Sequence, residues 1–81
     1  MENTFAIPIL ICRELNNNMS LPSPEIKEVE FNGLKIVVNI FQFSDENSFV
    51  SAKTVLSEKF ALDFAKIDGE SCPIFFAKEA S

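Results

Sequence analysis

Two cysteines and twelve carboxylates are the residues of this chain with chemistry to offer. Cys12 closes an apolar run over residues 5–12, and Cys72 stands in Gly69-Glu70-Ser71-Cys72-Pro73. A thiol works as a nucleophile only when a helix N-terminus or a nearby cation stabilises its thiolate. The chain has no histidine, which removes histidine-centred triads and imidazole ligands for zinc or iron. The two cysteines are too far apart to form a Cys-x-x-Cys unit. Gly33 and Gly69 are the only glycines, so no glycine-rich phosphate loop can be built. Glu28 and Glu30 would share one strand face, a spacing that can hold a hard cation such as Mg²⁺. Their simpler role is the wet side of a half-buried hairpin. Asp45 and Glu46 read as a helix start and Asp68 as a turn residue. These residues predict a non-enzymatic protein with no metal and no cofactor.

The order Gly69-x-x-Cys72-Pro73 resembles the sulfur-carrier family of small α/β proteins, in which a Cys-Pro opens a helix and carries a persulfide. The resemblance implies a reactive thiol at Cys72. It covers five positions and departs from the family in two respects. Phe75 stands where the family has a second proline, and only residues 73–81 follow the motif, which in the family lies near the N-terminus. Read from the residues themselves, Cys72 is a small apolar side chain in a strand, buried or at a sheet edge. Cys12 takes the same reading.

Three features would position these residues. Asn32-Gly33 separates two β-rich runs and is a strong hairpin signal, because the tight turn needs positive φ at both central residues. A two-residue loop sets Phe31 opposite Leu34, Glu30 opposite Lys35 and Val29 opposite Ile36. One face then carries Val29, Phe31, Leu34, Ile36, Val38 and Ile40. Ser44-Asp45-Glu46 can cap a helix, after which Phe49, Ala52, Leu56 and Phe60 recur at helical spacing. That stripe continues through Phe64 to Ile67, so one long helix is the competing expectation. Asp68-Gly69 argues for a second hairpin, over about 60–78, with Phe60, Leu62 and Phe64 sharing a face with Pro73, Phe75 and Ala77. Pro73 lacks an N–H, which predicts an edge strand or a bulge. The N-terminal segment is open between a helix entered at Pro8 and running through Leu15, and a short strand over 4–11. Residues 19–24 read as a loop because two prolines lie two apart. The expected fold is a single α+β domain over 1–81. Two hairpins flank a central helix, and the sheet packs on one or two helices.

Composition narrows the function classes. At 81 residues and 47% hydrophobic content, with nine phenylalanines, the chain can build a core but has little surplus stability. Its net charge is −5 and its seven basic residues are scattered, which disfavours direct nucleic-acid binding. The apolar run at 5–12 is interrupted by Pro8 and too short to cross a bilayer. No signal peptide is read, and a reducing cytoplasm with free thiols is expected.

The apolar residues outnumber what one thin core needs. Val37, Phe41, Ile74 and Phe76 are expected to lie opposite the helix-covered face. Either the N-terminal segment covers them, or they form an interaction surface rimmed by Glu28, Glu30 and Glu70. The leading expectation is a small acidic adaptor, inhibitor or immunity-type protein, with a protein partner or self-association as a dimer. One alternative is an acidic mimic of nucleic acid that inhibits a basic protein. The other is sulfur-carrier or redox chemistry at Cys72.

Overall fold

Both turn signals fold as hairpins. In the computed structural model, which describes residues 3–12 and 21–78, the order is β1 (Thr4–Pro8), α1 (Ile9–Cys12), β2 (Glu25–Phe31), β3 (Leu34–Gln42), α2 (Glu46–Lys59), β4 (Phe60–Ile67) and β5 (Glu70–Ala77). The protein is α+β, with two hairpins flanking a central helix. Phe31 faces Leu34 and Ile67 faces Glu70 across the two loops. Asn32, Gly33, Asp68 and Gly69 all have positive φ, as two-residue turns of this type require.

The strands form one five-stranded sheet in the order β2-β3-β1-β5-β4. β1 lies between the hairpins, antiparallel to β3 and parallel to β5. The N-terminal segment is thus strand and then helix, with the change at Pro8. The proposed helical residues Arg13 and Leu15, and residues 19–20 of the expected loop, lie outside the described residues; residues 21–24 are irregular.

The structure corrects the expectation for Pro73. β5 is an inner strand, not an edge, and Pro73 sits in regular register with Phe64. Hydrogen-bonding direction alternates along a strand. Counted from the tight turns, Ala6 of β1 and Pro73 and Phe75 of β5 point their amides at one another's strand. The parallel ladder registers only at Ala6 and Ile74. On one side of that position it would need an N–H at Pro8, and on the other an N–H at Pro73. Neither proline has one. The Thr4 carbonyl, which an N–H at position 73 would reach, lies 3.8 Å from the Cys72 thiol, which also has the Pro73 carbonyl within reach at 3.5 Å.

Two apolar layers form, one on each face of the sheet. On the outer face, Phe5, Ile7, Phe41, Phe43, Phe60 and Phe75 pack with Ala52 and Leu56 of α2. Phe5 is the hub, with ring centroids 5.2–5.9 Å from Phe41, Phe43, Phe49 and Phe75. Burying each such side chain contributes about 1.5–3 kcal/mol. On the inner face, Val29, Val38, Ile40, Ala65, Ile67, Cys72 and Ile74 pack together. Among the described residues, no helix covers this second layer. The sheet curls instead, so that its edge strands β2 and β4 approach each other and the inner face encloses itself. Phe31 of β2 lies on Phe76 of β5, with centroids 4.7 Å apart, and Lys27 of β2 pairs with Asp68 in the β4–β5 turn.

α2 starts as its sequence predicts. The Asp45 carboxylate accepts the Ser48 N–H at 2.9 Å, and this bond holds the Asp45 carboxyl below its usual pKa. The helix ends at Lys59, where Phe60 turns extended and enters β4 opposite Ala77. Lys78 donates to the Glu58 carbonyl at 3.0 Å, one of the acceptors a helix C-terminus leaves open. The long helix through Ile67 does not form.

Candidate functional site: an apolar groove beyond the end of β1

β1 is shorter than its neighbours, and the groove follows from that difference. Its five residues pair with Val38 to Gln42 of β3. β3 runs on through Leu34 to Val37, and β5 through Ala77, with no β1 between them; Phe76 lies level with Pro8. At Pro8 the chain leaves the sheet and turns into α1. That helix is anchored on the outer face, where the Asn39 amide donates to the Cys12 sulfur at 2.9 Å and the Cys12 thiol donates to the Ile7 carbonyl at 3.7 Å.

The result is a groove of about 730 Å³. Pro8 to Ile11 form its closed end, Lys35 to Val37 one wall, and Phe76 and Ala77 the other. Among the described residues of that lining, Lys35 is the single charged one. Leu10 is 78% exposed and Val37 42% exposed, large values for apolar side chains beside a concave surface. Glu28 and Glu30 are exposed on the outer side of β2, opposite Val37 and Lys35.

The expected surface residues separate into three groups. Val37 and Phe76 line the groove, with Glu28 and Glu30 next to its β3 wall. Phe41 and Ile74, expected as exposed anchors, are core residues at 4% and 0% exposure. Phe41 is buried among the outer-face aromatics, and Ile74 lies inside the curl of the sheet. Glu70, expected on the same acidic rim, is at the opposite end of β5 from Phe76. The six intervening steps span about 20 Å in a strand. Phe76 is half-buried against Phe31, so its truncation would disturb packing as well as a surface.

Sequence reading missed Ile9, Leu10 and Ile11. The available signal was that the apolar run continues past Pro8 while a strand there has reason to end. It also placed Leu62 and Phe64 on a covered face, whereas they are 39% and 54% exposed. α2 reaches Phe60 and Phe75 but not the far half of β4.

The chemical candidates are placed differently. Cys72 lies within β5, not at a helix start as the sulfur-carrier resemblance implies. It is buried, and burial pushes its thiol pKa up, away from the thiolate. Cys12 and Cys72 are both free thiols. Among the described residues, no three acidic or sulfur ligands gather into a metal-binding group, and no helix is long and apolar enough to cross a membrane. Compared with protein-family models, curated proteins and solved structures, the chain matches none.

Proposed function

We propose that this chain is a small acidic, non-enzymatic protein-interaction module, an adaptor or inhibitor, that docks an apolar segment of a partner protein in the groove beyond β1. The observation that carries the reading is an open, apolar concavity on a small chain. Ile9, Leu10 and Val37 are exposed there, although enough apolar residues lie elsewhere to complete both layers of the core. Contiguous apolar surface of this kind marks interaction sites. Val37, Leu10 and Phe76 are the anchors. Glu28 and Glu30 are rim residues that bias encounter towards a partner with positive surroundings. The two free thiols support a reducing compartment such as the cytoplasm.

The test uses the tagged chain and the Val37→Asp and Leu10→Asp variants, each checked for an unchanged thermal transition. Capture from nuclease-treated lysate at two salt concentrations is followed by titration with the purified partner. The expected result is one stoichiometric partner whose affinity falls at least tenfold, about 1.4 kcal/mol, in each variant. A partner held equally well by folded variants would overturn the groove as the docking surface. Binding that collapses with added salt would replace apolar docking with acidic mimicry of a phosphate backbone.

A further inference from the structure

We propose that the groove recognises its occupant as an added β-strand. An extended partner segment would continue the row that β1 abandons at Pro8, running antiparallel to β3. The inference rests on the docking reading and specifies the conformation and chemistry of what docks.

The sheet register supplies the argument. Ile7 pairs with Asn39 and Phe5 with Phe41, and the Phe43 amide donates to the Asn3 carbonyl at 2.8 Å. Odd-numbered residues of β3 therefore direct their N–H and C=O groups towards the β1 row, and even-numbered residues towards β2. By that alternation Lys35 and Val37 present main-chain donors and acceptors to the groove. On the far wall Ala77 does the same, because Pro73 and Phe75 face β1. Flanking strands with one row between them are about 10 Å apart, room for one strand and its two sets of hydrogen bonds. A helix, about 10–12 Å across with its side chains, does not fit such a row. Recognition by strand addition takes affinity from main-chain bonds and specificity from alternate side chains.

The same register defines the occupant's side chains. The residue opposite Ile36 would point to the inner face, where Ile36 and Phe76 require an apolar side chain. The residue opposite Val37 would point outward beside an apolar neighbour. The residue opposite Lys35 would point outward beside that ammonium, and a carboxylate complements it. The occupant is thus an extended segment with two adjacent apolar residues and an Asp or Glu next to the inward-facing one.

The experiment is selection of random dodecapeptides displayed on phage against the full chain, counter-selected against the Val37→Asp variant. The best peptide is resynthesised with single backbone N-methyl groups. Selected peptides should share the apolar pair and the acid. An N-methyl group on either amide facing β3, or on the amide between them that faces Ala77, should weaken binding at least tenfold, while one on a residue beyond the ends of the groove changes it less than twofold. Lys35→Glu should reverse the preference from acid to base. The Lys35 and Val37 amides should become protected from hydrogen exchange on binding. Groove-dependent peptides insensitive to every N-methyl group would overturn strand addition and leave the docking reading standing. Failure to enrich any peptide over the counter-selection would overturn strand addition; the docking reading is judged separately, by the Val37→Asp and Leu10→Asp titrations.

Discussion

Cys72 and Pro73 show how a residue pair that suggests chemistry can be explained by backbone accounting. Pro73 withholds an N–H from the β1 row, and the neighbouring thiol sits within reach of both the Thr4 and the Pro73 carbonyls. Burial raises the Cys72 pKa, so the thiol stays protonated where a free cysteine ionises. The sign for stability follows. The folded pKa lies above the unfolded value of about 9, so the thiol's contribution is complete below that pH. It is lost as pH rises from there through the folded pKa, because only the unfolded chain then releases the proton. Two measurements check this. Native protein near neutral pH should alkylate quickly at Cys12 alone, and both thiols should react in denaturant. The fall in stability above about pH 9 should be shallower in Cys72→Ala than in the parent. Rapid native labelling of Cys72 would contradict the buried placement.

At the scale of elements, the parallel seam between β1 and β5 is the least hydrogen-bonded row of the sheet, trimmed by Pro8 on one side of Ala6 and by Pro73 on the other. Every other row registers five or more residue pairs. Pro73→Ala should therefore add one inter-strand bond, to the Thr4 carbonyl. The new amide at position 73 should exchange slowly and the sheet should not rearrange. The net change in stability should stay within about 1 kcal/mol, since the added bond contributes roughly 0.5–1.5 kcal/mol and the unfolded chain gains freedom when proline is removed. Fast exchange at that amide would show that residue 73 does not face β1. The Asn-Gly and Asp-Gly turns were legible in the sequence, and so were both hairpin registers, because two-residue loops determine pairing locally. The end of α2 was not. Phe60, Phe64 and Ile67 satisfy a helical stripe as well as a strand, and cross-strand pairing with β5 decides between them.

Across the whole molecule, closure of the curl is an apolar event with an ionic ornament. Val29, Ala65, Ile67 and Ile74 join the approaching edges from inside, and Phe31 stacks on Phe76. Lys27 and Asp68 meet across the same seam, with side chains 34% and 63% exposed. A pair so open to solvent contributes little. A double-mutant cycle with Lys27→Met and Asp68→Asn should give a coupling below about 1 kcal/mol by urea unfolding. Asparagine keeps the positive φ that Asp68 adopts. A coupling above 2 kcal/mol would make the ion pair, and not the apolar layer, the closure. The candidate site belongs to this scale as well. Val37, Phe76, Glu28 and Glu30 were found from the alternation of residues along strands. Leu10 entered only when β1 was seen to stop short between longer neighbours.

By itself the sequence determined what local chemistry controls: two tight turns, the pairing they impose, a capped helix start, and which residues share a face. Turns and caps act over a few residues, so they can be read without knowing the rest of the chain. Tertiary structure alone decided which faces are covered. Alternation separates Phe41 from Ile40 and Phe75 from Ile74, but it does not say that α2 lies over one set while the sheet curls around the other. It also decided that β1 sits between the two hairpins and ends before they do. Those outcomes depend on contacts between residues far apart in the chain, and they determine which apolar side chains remain at the surface.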